Sequence, residues 1–234
     1  GLLGDGPRTT ASGAGDVNGD GFADVIVGTP YSGSSYVVFG RAAGFDATLD
    51  LSSLNGSDGF RLDGTSDDRS GRSVSGAGDV NGDGFADVIV GAPYASSNGI
   101  NGGGSSYVMY GKAGGFDAAL DLSSIDSSKG FRVDGGVANV ASGRPVSSAG
   151  DVNGDGFADL MIGDPIAQNS LGIGSGFSSV IFGDNFNGRV TAMGTAKADK
   201  LKGSQGVDRM VAGDGDDILI GRGGKDVYHA GAGD

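Results

Sequence analysis

The chain of 234 residues has no cysteine, no tryptophan and no glutamate, and its one histidine is His229. Without cysteine there is no disulfide, no thiol nucleophile and no thiolate metal site. Without glutamate, all 29 acidic residues are aspartate. Aspartate favours turns and caps where glutamate favours helices, so a chain with little or no surface helix is expected. The missing tryptophan removes the broadest flat side chain, leaving a carbohydrate platform without support. No apolar run approaches the ~18 residues of a membrane span. A charged N-region followed by an apolar stretch, the mark of an export leader, is not visible at the start of the sequence. Basic residues number 16, giving a formal charge of −13. That sign disfavours nucleic acid and anionic membranes as partners.

Glycine, in contrast, is abundant: 50 residues, which with 5 prolines make about 23% of the chain. The glycines recur at fixed positions, as in a repeat fold rather than a low-complexity tail. The nine residues DVNGDGFAD occur three times, from Asp16, Asp79 and Asp151. The copies lie 63 and then 72 residues apart. Each puts oxygen-bearing side chains at positions 1, 3, 5 and 9 and glycines at positions 4 and 6. Ca²⁺ takes six to eight oxygens and needs a tightly curled backbone to gather them. The candidate ligands are Asp16, Asn18, Asp20, the Phe22 carbonyl and Asp24 in the first copy. Asp79, Asn81, Asp83, Phe85 and Asp87 follow in the second, and Asp151, Asn153, Asp155, Phe157 and Asp159 in the third. A single copy reads equally well as a polar turn. Three copies with an unchanged ligand set favour the metal. The loops carry −9 of the net charge, and three bound Ca²⁺ would bring the total to about −7.

Position 12 is Val27, Val90 or Ile162, so these are not EF-hand loops, which end in glutamate between two helices. Nor does a helix follow, as it does in dockerin modules. ADVIVG or ADLMIG follows, a β-branched run closed by glycine that reads as a buried strand. A proline turn comes next, then an aromatic strand at 34–40, 105–111 and 177–183. Inserts follow at 44–54 and 115–125, and then GFRLDG (59–64) and GFRVDG (130–135). Each unit thus holds about four short strands, the size of one propeller blade. The strings GDVNGDGFADVIVGAP, Phe39–Gly40 and Gly91–Ala92–Pro93 resemble FG-GAP repeats, the units of integrin-α-type β-propellers. The resemblance covers roughly residues 1–183. It implies Ca²⁺ in the loop between the first two strands of each blade, on one rim. About three blades cannot close a propeller, so a partial or partner-completed array is expected, with more chain, another subunit or a stacked arc at its open faces.

After a connector at 184–193, a nine-residue period begins: GTAKADKLK, GSQGVDRMV, AGDGDDILI, GRGGKDVYH and a truncated AGAGD. Asp199, Asp208, Asp217 and Asp226 recur at position 6. Leu201, Met210, Leu219 and Tyr228 recur at position 8. This resembles the RTX calcium-binding nonapeptide, which forms a short parallel β-roll over 194–234 with one or more further ions. The resemblance implies that Asp199 pairs with Asp217 and Asp208 with Asp226, and that the protein is extracellular or at the cell surface, exported through a bacterial type I channel. Thr195 and Lys197 replace glycines in the first unit, which weakens its site.

Nothing in the sequence assembles a catalytic centre. His229 sits on a roll strand and reads as solvated or packed. No G-x-S-x-G elbow occurs. Asp46, Asp50, Asp117 and Asp121 lie in the duplicated inserts and read as caps or turns. Tyr31 and Tyr94 follow the proline turns and read as rim packing, with a partner-facing role as the alternative, and no RGD is present. The Asn55–Gly56–Ser57 sequon matters only in a eukaryotic secretory route. The expected fold is all-β, FG-GAP sheets then a β-roll. The expected role is a calcium-binding, non-catalytic adhesion or protein-binding module of a secreted protein. A structural subunit that packs through its open sheet faces, and an accessory part of a secreted enzyme, are the competing readings.

Overall fold

A computed structural model describes residues 9–167, 176–186, 190–193, 197–212 and 215–229. The N-terminal eight residues, the start of the first nonapeptide and the truncated last unit lie outside these. The regular secondary structure of the described residues is strand, apart from two single-turn 3-10 segments at Leu51–Ser53 and Leu122–Ser124.

Three antiparallel sheets come first. The first contains β1 (Thr10–Gly15), β2 (Asp24–Thr29), β3 (Ser34–Val38) and β4 (Gly59–Asp63). The second holds β5 (Ser73–Gly78), β6 (Asp87–Ala92), β7 (Ser105–Met109) and β9 (Gly130–Asp134). In the third are β10 (Val146–Gly150), β11 (Asp159–Asp164) and β12 (Phe177–Ile181). The first strands β1, β5 and β10 lie side by side, and among the described residues no sheet closes on itself. Strand β8 (Ala119–Asp121) comes from the second unit's insert but joins the first sheet, pairing in parallel with β4 (Leu62 opposite Leu120). The first sheet is therefore five-stranded.

The cores lie between sheets. Ile26, Val37, Phe39, Phe60 and Leu62 of the first unit meet Val88 and Val90 of the second sheet and Leu122 of the second unit's 3-10 turn. Ile89, Val108 and Tyr110 on the second sheet's other face meet Val146, Leu160 and Ile162 of the third. Strand β6 is buried along its whole length, which explains its unbroken apolar run. Each such side chain contributes about 1.5–3 kcal/mol. The glycine ending that run has its own reason. A Cβ on Gly91 would stand 2.0 Å from the Gly143 carbonyl oxygen of the next unit.

The C-terminal strands are short and parallel. β13 (Ala192–Met193), β15 (Arg209–Val211) and β17 (Val227–His229) form one sheet, and β14 (Lys200–Lys202) and β16 (Ile218–Ile220) the other. Leu201 lies opposite Leu219 and Met210 opposite Tyr228, so two nonapeptides make one turn of a β-roll. β13 falls in the 184–193 segment, and its pairing with β15 extends the roll's ladder into that connector.

Candidate metal centre

The three DVNGDGFAD loops occupy equivalent places, each joining the first two strands of its sheet. The pairing shifts register just before each loop, between Gly13 and Gly15, Gly76 and Gly78, and Ser148 and Gly150. Gly15, Gly78 and Gly150 have φ of 75°, 76° and 71°. Such a glycine bulge re-aims the chain as it leaves the strand.

Within a loop the side chains turn onto the loop's own backbone. Gly19 N–H donates to Asp16 Oδ1 (2.7 Å) and Gly21 N–H to Asp16 Oδ2 (2.8 Å). Asp20 N–H reaches Asn18 Oδ1 at 3.0 Å, and Phe22 N–H reaches Asp20 Oδ1 at 2.9 Å. The third loop repeats this around Asp151, Asn153 and Asp155. In the second, Asp79 accepts from Asp83 and Gly84, and Asp83 from Phe85.

The ninth residue differs from the rest. Asp24, Asp87 and Asp159 are buried. Asp87 Oδ2 accepts from Val80 N–H and Oδ1 from Gly111 N–H, both at 2.8 Å. Asp24 does the same with Val17 and Gly40, and Asp159 with Val152 and Gly183. This carboxylate ties the loop's second residue to the glycine that ends the aromatic strand. The sequence treats position 9 as one ligand among four. The structure gives it a bracing role.

Among the described residues, no three histidine or acidic side chains converge as a ready cage. The donor set nevertheless suits a hard divalent cation. Burial raises the Asp24 carboxyl above its ordinary range, and the Asp16 and Asp20 charges push the same way. Burial raises Asp87 further, with Asp79 and Asp83 adding to it. A divalent cation among these oxygens offsets that desolvation and repulsion.

Consecutive loops also interlock. The Phe85 ring lies where a Cβ on Gly19 would stand, 2.4 Å from its Cε1, and Phe157 lies likewise against Gly82. Ala86 N–H donates to the Asp16 carbonyl, and Ala158 N–H to the Asp79 carbonyl. Sequence reasoning valued position 7 for its carbonyl and missed its ring. The signal was there: a carbonyl ligand does not require phenylalanine in every copy.

The second loop is covered by the roll. Arg209 Nε donates to the Asp83 carbonyl (2.9 Å), and His229 Nε2 stands 2.9 Å from Asp79 Oδ2. Val227 packs where a Cβ on Gly84 would point. Asn81 and Asp83 are fully buried, whereas Asp20 and Asn153 are exposed. In the roll, Asp199 N–H donates to Asp217 Oδ1 (2.8 Å) and Asp208 N–H to Asp226 Oδ1 (3.0 Å). The structure thus brings both expected pairs together, through backbone-to-carboxylate bonds. Asp208 also accepts from Ser204, which lowers its carboxyl.

Asp50 and Asp121 cap the two 3-10 turns by accepting from Ser52 and Ser123 N–H, which accounts for one aspartate of each duplicated insert.

The FG-GAP repeat family model matches residues 9–43 and 70–109. The RTX calcium-binding nonapeptide repeat model matches 191–219 and 202–234. The chain carries FG-GAP repeats followed by RTX nonapeptide repeats. The matched FG-GAP segments contain the first two loops. The third loop lies outside them, and its sheet repeats their geometry. No curated protein sequence matches the chain. No helix among the described residues is long and apolar enough to cross a membrane.

Proposed function

We propose that this FG-GAP and RTX repeat chain is a calcium-stabilised, non-catalytic protein-binding module of a secreted protein. One observation carries the reading. Three loops with the same donor set sit at equivalent corners of consecutive sheets, and each touches the next. Ions held there would stiffen the rim at the points where sheet meets sheet. Asp16, Asn18, Asp20, the Phe22 carbonyl and Asp24 would hold the first ion, with the matching residues of the other two loops holding the second and third. Asp199, Asp208, Asp217 and Asp226 would line the roll's site or sites. Ca²⁺ would supply charge neutralisation and cross-linking of loop oxygens, and the chain's residues everything else.

The non-catalytic part rests on the side chains available. The one histidine lies against Asp79, and cysteine and glutamate do not occur. The RTX repeats support extracellular placement, through type I export.

Thermal melts followed by circular dichroism, with 10 mM CaCl₂ or excess EGTA, test the calcium reading. At about 100-fold saturation each site adds about 2.7 kcal/mol. An unchanged Tm in EGTA would refute the calcium claim.

A further inference from the structure

The three DVNGDGFAD loops share one sequence, yet their surroundings differ. In the first loop Asn18 is partly buried and Asp20 is exposed, and in the third Asp151 and Asn153 are exposed. In the second, Asn81 and Asp83 are both 0% exposed. The following unit does not account for this difference. Phe85 lies on Gly19 as Phe157 lies on Gly82, so the first loop receives the same ring and still leaves Asp20 in solvent. What the second loop has in addition is the connector, with Val190 beside Gly82, and the roll.

One face of one roll sheet makes the contact. β15 and β17 pair in register, with Arg209 opposite Val227 and Val211 opposite His229. Side chains alternate along a strand, so these four share a face. Three of them meet the loop at its positions 5, 6 and 1. Arg209 Nε donates to the Asp83 carbonyl at 2.9 Å, Val227 lies where a Cβ on Gly84 would stand, and His229 Nε2 is 2.9 Å from Asp79 Oδ2. The fourth, Val211, is buried. At the first loop the residue matching Gly84 is Gly21, with open space where its Cβ would point. Arg209 takes the Asp83 carbonyl and leaves the carboxylate, and Val227 touches a residue with no side chain to give an ion. The roll thus closes over the loop from outside.

We infer that the roll is a lid on the second loop: the ion held there leaves only when the roll lifts off, whereas the ions of the first and third loops exchange directly with solvent. The inference rests on the calcium reading of the loops and adds a kinetic order among them. Release from a covered site is slowed by the fraction of time the cover is off. Each 1.4 kcal/mol or so of docking free energy slows it about tenfold. The residues that set the docking are Arg209 and Val227, which follow directly on the roll's own Asp208 and Asp226 pair. The two repeat classes therefore meet at one site, with the later class controlling access to an ion of the earlier one.

The experiment loads the full chain with CaCl₂ and mixes it in a stopped-flow cell with excess fluorescent chelator, counting released ions per chain. One ion should leave at least about tenfold more slowly than the fast ions. Val227→Asp turns a carboxylate toward the acidic loop and should speed that ion about tenfold or more. Arg209→Ala removes one hydrogen bond and should speed it about threefold or more. Val227→Ile keeps the apolar contact and should leave it slow. Hydrogen exchange in calcium locates the effect. Amides of 79–86 should exchange at least about tenfold more slowly than those of 16–23, and Val227→Asp should abolish that difference. Release in a single phase, or a slow ion that neither Val227→Asp nor Arg209→Ala moves, overturns the lid and leaves the calcium reading standing. Equal exchange in the two loops of the parent chain overturns the lid as well. A chain that releases no calcium overturns both.

Discussion

Replacing Asp87 by asparagine separates two roles of one carboxylate. Both Asp87 oxygens accept buried backbone N–H groups, from Val80 and Gly111. Asparagine keeps one acceptor and turns the other into an NH₂ that faces a donor. One buried N–H is left unmet, at a cost of about 1–3 kcal/mol. The substitution also removes a charge whose burial is unfavourable, because the Asp87 carboxyl is raised by desolvation and by Asp79. In EGTA these effects oppose, and the net loss should be at most about 3 kcal/mol, or roughly 6–12 °C at 2–4 °C per kcal/mol for a chain of this size. In saturating calcium a further loss appears if position 9 serves the ion. Losing the second site at 100-fold saturation removes about 2.7 kcal/mol more. The assay is a pair of calorimetric melts, variant against parent, with and without calcium. A ΔTm that is the same in both buffers would refute a ligand role for Asp87 and leave only its bracing role.

Three further outcomes follow from the geometry. Gly91→Ala should destabilise by more than about 3 kcal/mol, since its Cβ meets the Gly143 carbonyl at 2.0 Å, while Gly13→Ala, with open space around it, should stay within about 1 kcal/mol in denaturant titrations. Arg209→Ala removes the roll's bond to the Asp83 carbonyl; limited trypsinolysis should then cut the 184–193 connector several-fold faster, with the sheets' exchange rates unchanged. Asp121 has a carboxyl lowered by its bonds from Ser123; a lowered folded value gives stability that is present above the unfolded pKa and lost as pH falls through the folded one, so below about pH 4 the Asp121→Asn variant should lose less Tm than the parent.

Much of this was legible in the sequence because it is local. The loop ligands, the bulge glycines and the β-branched runs are set by neighbours within a few residues, and repetition amplified each signal. The apolar run of β6 announced burial on both faces, and the nonapeptide period announced parallel strands. The illegible parts are the long-range ones. Ala119–Leu120–Asp121 is too short and mixed to read as a strand, and it becomes one only because the β4 edge and the Phe60 ring are beside it. The approach of Arg209 and His229 to the second loop joins residues more than a hundred positions apart, with no periodicity to signal it. Position 9 was read by its oxygen content alone. Its burial depends on where the aromatic strand ends, which no nine-residue window contains.

The interlock of Phe85 with Gly19 and of Phe157 with Gly82 has a consequence for how such chains lengthen. Every unit carries a ring that reaches back and a glycine that receives one. A tandem duplication of one whole unit therefore creates a matched junction at once, with no new substitution needed at the seam. The nine extra residues between the second and third loops show where length differs: most lie in the turn at 93–104, away from these rings. Growth by whole units keeps the seams intact, and ornament accumulates in the outer turns.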